Sequence, residues 1–307
     1  MPEHDYAVYD VFTDKGLAGN PLAVVFAADD LGKDAMQRIA GEFNLSETAF
    51  VSAPKLPHHT ARLNIFTPRI ELPFAGHPTV GTAVALAERK ELMPASGEGA
   101  ILAIEEEVGM VRCVVSREKG AAAFAEFDLP RLPEPVSFTI LPEVAAACLG
   151  LDPHEVGFEN HVLSAWSAGV PYVCVPVRGL DAAARANLDA GLWLKSAPRQ
   201  GGLIAAPYVY CRDTVNRNCA FHARMFAPHD GIVEDPATGS AAAAFAGAVM
   251  RFDKPVDGPS ELWIEQGIEM GRPSRIRLAL DVENGKLTGA RIGGHAVKIA
   301  SGKLLVV

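Results

Sequence analysis

The sequence predicts an α+β protein of two pseudo-symmetric domains, each a bent, mostly antiparallel sheet wrapped around a central apolar helix. Three observations predict it. Two apolar segments, ELPFAGHPTVGTAVALA (Glu71 to Ala87) and VEDPATGSAAAAFAGAVM (Val233 to Met250), each follow a turn rich in Pro and Gly that opens on an acid. Overlaid, they place Glu71 on Glu234, Pro73 on Pro236, Gly76 on Gly239 and His77 on Ser240, 163 positions apart. A second echo, LAIEEEVGM on LWIEQGIEM, lies 160 positions apart, so the repeating unit is about half of the 307 residues and too long for a solenoid. The rest of the chain reads largely as short strands. A helix apolar on nearly every face must be wrapped by other structure, and a curled sheet does this economically.

Tyr6 to Phe12 and Pro21 to Phe26 are β-rich runs split by the turn-forming DKGLAGN, so the chain opens with paired strands. Leu31 to Phe43 has helical spacing at Met36, Ile39, Ala40 and Phe43. NLSETAFV then leads into a strand near Thr48 to Val51, and His59 to Phe66 alternates as a half-buried strand. In the first motif helix Pro78 suits the first helical position, with His77 just before it. Strands follow near Ile101 to Glu106, Met110 to Ser116 and Ala122 to Asp128.

LPRLPEP, Leu129 to Pro135, holds three prolines in seven residues and marks the boundary between domains 1–128 and 129–307, with a final strand able to pack back onto the first. Beyond it are a helix near Pro142 to Leu149, strands near His161 to Trp166 and Pro171 to Pro176, and a helix near Ala186 to Lys195. Strands near Leu203 to Cys211 and Asn218 to Phe226 lead to the second motif helix, and strand-like runs end in KLLVV.

Acids outnumber bases, 37 to 28, and no basic run with interleaved aromatics occurs, which argues against nucleic-acid and anionic membrane partners. There is no signal-like start and no apolar stretch near the ~18 residues of a membrane span. Five cysteines without C-x-x-C spacing read as reduced, packed thiols of a cytoplasmic protein.

The start of each motif helix offers backbone N–H groups and a positive dipole end, an anion site in an enzyme or a plain binder alike. Glu47 is flanked by uncharged residues and precedes an apolar strand, which allows the burial a proton-carrying carboxyl needs. A Glu at such a junction is otherwise solvated or capping. His77 reads equally as an N-cap, Asp235 as balancing the helix dipole, and Ser240 as a cap or anion contact. Ser240 is no nucleophile elbow, because Ala242 stands where the second Gly is needed. His58 and His59 would point to opposite faces of a strand, and neither H-E-x-x-H nor a phosphate- or dinucleotide-binding fingerprint occurs.

GNPLAVVF, NLSETAFV, FTPRIELPFAGHPTVGTA, MFAPHDGIVEDPATGSA and IEQGIEMGRPS together resemble the phenazine-biosynthesis isomerase (PhzF-like) family, which shares the diaminopimelate-epimerase fold. The resemblance spans nearly the whole chain. It implies a cofactor-free, metal-free homodimeric isomerase with its active site in the cleft between the domains. By the same resemblance Glu47 is the general acid/base, while His77 and Asp235 assist proton movement and hydrogen-bond the substrate. Ser46, Gly76, Gly239 and Ser240 line the pocket and hold a small-molecule carboxylate. A characterised member isomerises trans-2,3-dihydro-3-hydroxyanthranilate. The absence of a cysteine from both motif loops argues against the two-thiol racemase chemistry of diaminopimelate epimerase. A racemase or epimerase without that thiol pair, and a non-catalytic carboxylate binder, are the alternatives. An anion binder gains nothing from an acid in its pocket, so Glu47 favours the enzyme.

Overall fold

Parallel neighbours in a sheet need a crossover between them, and helices of this chain supply those crossovers. A computed structural model describes residues 3–93 and 98–305. The chain divides into one compact unit of Met1–Pro130 with Gly293–Val307, and a second of Arg131–Ile292.

The first unit holds β1 (Glu3–Val11), β2 (Asn20–Val25), α1 (Lys33–Phe43), β3 (Glu47–Ser52), β4 (Ala61–Phe66), β5 (Glu71–Leu72), α2 (Gly76–Arg89), β6 (Gly99–Glu106), β7 (Gly109–Ser116) and β8 (Ala123–Asp128). β1 lies antiparallel to β2, and β2 parallel to β3 across the α1 crossover. β3 and β4 are antiparallel, β4 and β6 parallel across α2, and β6, β7 and β8 form an antiparallel meander. The final strand of the chain pairs with both β1 and β8, which closes this sheet on itself. Every residue of α2 from Gly76 to Ala87 is buried, and the helix packs against β1, β2, β3, β6, β7 and β8. The approach is close: a Cβ on Gly81 would meet Leu22 at 2.6 Å and Val11 at 2.7 Å.

The second unit holds β9 (Glu134–Pro135), α3 (Pro142–Leu149), β10 (Ser164–Ser167), β11 (Pro171–Pro176), α4 (Gly179–Arg185), α5 (Ala190–Ser196), β12 (Arg199–Gln200), β13 (Leu203–Ile204) and β14 (Ala206–Cys211). It continues with β15 (Phe221–Ala227), β16 (Ile232–Asp235), α6 (Gly239–Phe252), β17 (Gly258–Gln266), β18 (Ser274–Glu283) and the start of β19 (Lys286–Leu305). Its pairing order repeats that of the first unit. β10 lies antiparallel to β11, β11 parallel to β14, β14 antiparallel to β15, β15 parallel to β17 across α6, and β17 antiparallel to β18. α6 is buried along nearly its whole length, and a Cβ on Gly247 would fall 2.3 Å from the Trp166 ring. α3, α4 and α5 enclose a separate apolar cluster around the fully buried Trp193.

Each unit is therefore a mostly antiparallel sheet with two parallel pairings, β2–β3 and β4–β6 in the first and β11–β14 and β15–β17 in the second. Those pairings join strands separated by helices, which leaves no local pattern in sequence. α2 begins at Gly76, so His77 and Pro78 are its second and third residues and Ala75 is the N-cap. The second motif opens as a strand, β16, and its helix runs on through Arg251 to Phe252. The helix expected near Ala186 to Lys195 is α5, which starts at Ala190, and α4 before it has no counterpart in that expectation. Between them the Asn187 and Asp189 N–H groups bond to the Leu149 and Cys148 carbonyls at the end of α3, and the Asp189 carboxylate caps α5. The proline-rich stretch is only partly linker, because Glu134 and Pro135 pair with β10.

Candidate active site

In the first unit, α1 ends at Asn44 in the left-handed conformation, and Leu45 and Ser46 turn the chain into β3, whose first residue is Glu47. The β2–β3 pairing sets Glu47 beside Leu22, two residues beyond Asn20. α2 brings His77 to the same place: Nδ1 lies 3.4 Å from Glu47 Oε2 and 3.4 Å from Asn20 Nδ2. Asn20 is fully buried and His77 nearly so, while 12% of the Glu47 side chain reaches solvent. Burial pushes the His77 imidazole down to about 3, with a hydrogen bond to the Pro21 carbonyl acting the other way. The ring is therefore neutral at neutral pH. Nδ1 faces both the Asn20 amide and the Glu47 carboxyl, so the hydrogen that joins the imidazole to Glu47 lies on one partner or the other according to the ring tautomer. Gly76, the first helical residue, and half-buried Ser46 flank the pair in sequence.

In the second unit, Asp235 ends β16 and is buried. Thr238, the N-cap of α6, donates its hydroxyl hydrogen to Asp235 Oδ2 at 2.6 Å. Gln266 locks the turn: its Nε2 donates to the Asp235 carbonyl at 2.7 Å and lies 3.0 Å from Thr238 Oγ1, and its Oε1 accepts the Thr238 N–H at 3.2 Å. Gly239 and Ser240 are the first two residues of α6, so Ser240 is not the cap, and its Oγ meets Tyr172 Oη at 2.7 Å. Neither the Ala75 nor the Thr238 side chain caps its helix. Each motif helix thus presents first-turn N–H groups of the kind that hold an anion.

A charged network supports the second turn. Arg224 forks onto Glu234 at 2.8 and 2.9 Å, and His222 lies between Glu265 (Nδ1, 2.9 Å) and Glu269 (Nε2, 3.0 Å). A carboxylate on each ring nitrogen requires a hydrogen on each, so His222 is an imidazolium. Burial opposes that charge, but the two carboxylates outweigh it and raise the ring to about 9. The folded-state value lies above the ordinary 6.5, so this stabilisation is complete below pH 6.5 and is lost as pH rises through about 9. Replacing His222 by Leu leaves Glu265 buried without its cation, an expected loss of about 3–5 kcal/mol in urea unfolding at neutral pH. That loss shrinks above pH 9; a loss independent of pH would contradict the charged state of His222.

One device appears in both units. Glu105 accepts the N–H groups of Lys55 and Leu56 and a contact from His59, and Glu265 accepts those of Val215 and Asn216 and a contact from His222. His58 and His59 lie in a turn, with rings 4.5 Å apart, so they do not stand on opposite faces of a strand. All five cysteines are free and buried. Asn20, Thr238, Gln266 and Tyr172 had no role from sequence. Asn20 sits in GNPLAVVF, Thr238 in EDPATGSA and Gln266 in IEQGIEM, motifs that were visible, whereas Tyr172 has no signal beyond an apolar strand.

The phenazine biosynthesis-like protein family (PhzC-PhzF) matches residues 9–302. An uncharacterized isomerase of Mesorhizobium japonicum is 61% identical over 307 residues, covering all of both chains. The trans-2,3-dihydro-3-hydroxyanthranilate isomerase of Pseudomonas aeruginosa is 33% identical over 300 residues, covering 98% of this chain and 99% of its own. Among solved structures, a phenazine biosynthesis protein of Bacillus anthracis superposes with a TM-score of 0.88 at 29% identity over the whole of both chains. A hydroxyproline epimerase of Agrobacterium vitis superposes with a TM-score of 0.64 at 14% identity over 99% of this chain and 91% of its own, a likeness of fold: mixed α/β and rich in sheet.

Proposed function

The chain belongs to the phenazine biosynthesis-like (PhzF) isomerase family, and from that premise we propose that it moves a proton within a small cyclic or conjugated carboxylate resembling dihydro-hydroxyanthranilate, without a cofactor. The observation that carries the reading is the contact between the Glu47 carboxyl and the buried, neutral His77. Glu47 takes a proton from an acidic carbon and returns it at another. His77, neutral and oriented by Asn20, accepts and relays on the substrate's polar side, and Asp235, fixed by Thr238 and Gln266, holds a polar group of the same substrate. N–H groups at Gly76, Gly239 and Ser240, with the Ser46 hydroxyl, fix the carboxylate and stabilise the enolate- or dienamine-like charge that develops. That both motifs serve one substrate rests on their duplication in sequence and on the resemblance, as do the homodimeric state and the two-domain, two-helix duplication. A cytoplasmic setting rests on the five free thiols.

Thermal shift with a panel of cyclic amino- and hydroxy-carboxylates, trans-2,3-dihydro-3-hydroxyanthranilate among them, followed by turnover of the hits, tests the substrate class. At least one carboxylate is expected to stabilise the protein and to isomerise without added cofactor. Equal stabilisation by analogues lacking the carboxylate would contradict the anion-holding role of the helix starts.

A further inference from the structure

Glu106, the last residue of β6, is 8% exposed, and its Oε1 lies 2.7 Å from Thr79 Oγ1 in the first turn of α2. The same hydroxyl lies 2.7 Å from the carbonyl of Ala75, the N-cap of that helix. A hydroxyl has one hydrogen to give and a carbonyl has none, so one of the two contacts needs a hydrogen from elsewhere. Among the described residues the Glu106 carboxyl is the group placed to supply it: Thr79 donates to Ala75, and protonated Glu106 donates to Thr79. The second carboxyl oxygen, Oε2, is buried and makes no hydrogen bond among the described residues, a tolerable state for an acid carbonyl and a costly one for a carboxylate.

The second unit carries a related arrangement, one turn earlier on its helix and with a different residue. Position 266 matches position 106 in the 160-residue echo, and Gln266 bonds to Thr238, the N-cap of α6. A carboxylic acid and a primary amide share a shape and both donate, whereas a carboxylate cannot donate.

We infer that Glu106 is a positioning residue that works as a neutral acid, holding the first turn of α2, and with it His77, as Gln266 holds the start of α6. Burial drives its carboxyl up to about 8, the Thr79 hydrogen bond opposing. The groups that face it are Thr79 from α2 and the buried thiol of Cys113 from β7, while Glu105 is bonded to Lys55, Leu56 and His59 and Glu107 is exposed. Above about pH 8 the carboxylate takes the Thr79 hydrogen from Ala75, and the turn that carries His77 loosens. The stability that the neutral acid contributes is complete below the ordinary carboxyl value of 4.5 and is lost as pH rises through about 8.

The positional part of this inference needs no substrate, and its link to turnover rests on the role proposed for His77. The full chain is examined by carbon-13 NMR of the Glu106 carboxyl, assigned with Glu106→Gln, and by amide hydrogen exchange of Thr79 to Ala83 between about pH 7 and pH 9.5. Titration near 8 is expected, with protection of those amides falling about tenfold across that range in the wild type and staying level in Glu106→Gln. A carboxyl titrating near 4.5, or protection that changes alike in both proteins, overturns the inference whatever the substrate proves to be. In turnover, the alkaline fall in kcat of the wild type should be absent from Glu106→Gln. An unchanged alkaline limb in the variant overturns the link to His77.

Discussion

Glu47→Gln lowers kcat by about 10²- to 10⁴-fold with little change in KM, the range that general acid–base catalysis contributes. Gln has the size of Glu and can still accept from and donate to a bound ligand, so the substrate keeps its contacts. It loses the group able to take a proton from carbon and give it back. The place of Glu47 at the first residue of β3, close to a His77 ring that burial keeps neutral, makes it the proton carrier in this account. A variant that keeps wild-type kcat would remove Glu47 from the chemistry.

His77→Asn produces two separable effects. Proton relay is lost, so kcat falls by about 10- to 100-fold, less than for Glu47→Gln because the primary acid/base remains. The variant also changes how the protein responds to acid. In the folded chain the His77 value is about 3, below its ordinary 6.5, so folding favours the neutral ring. That contribution is complete above pH 6.5 and is lost as pH falls toward 3, because the unfolded chain takes up a proton the folded chain refuses. At about 1.36 kcal/mol per pH unit the full dependence is on the order of 5 kcal/mol. Urea unfolding between about pH 7 and pH 4 should therefore show a shallower decline in His77→Asn than in the wild type. Parallel declines would mean that His77 is not held neutral by burial.

Much of this was legible in the sequence, for reasons that can be stated. α2 and α6 were visible because nearly every face of each is buried, so no polar residue interrupts the apolar run after the Gly and Pro signals. β11 was read from Pro171 to Pro176 because a short apolar run bounded by prolines has few other solutions. Local pattern failed where the deciding bonds are distant. The break between α4 and α5 is made by carbonyls at the end of α3, and the parallel pairings β2–β3 and β15–β17 join strands separated by a helix. In the candidate site, the type and motif of Glu47, His77 and Asp235 were readable. The residues that orient them were not, because Asn20 reaches His77 across 57 positions and Gln266 reaches Asp235 across 31. Such contacts depend on which strand lies beside which, and residue type alone does not carry that.

The central claim is that one carboxyl, Glu47, moves the proton. Deuterium incorporation tests it most directly: the substrate found by the ligand screen is converted in D₂O by wild type and by Glu47→Gln, and the label is located by NMR. The account predicts conversion by the wild type, with deuterium at the newly formed C–H in proportion to the exchange of the Glu47 carboxyl with D₂O before it returns the proton, and negligible conversion or exchange by Glu47→Gln. Labelling by the variant at the wild-type rate would contradict it.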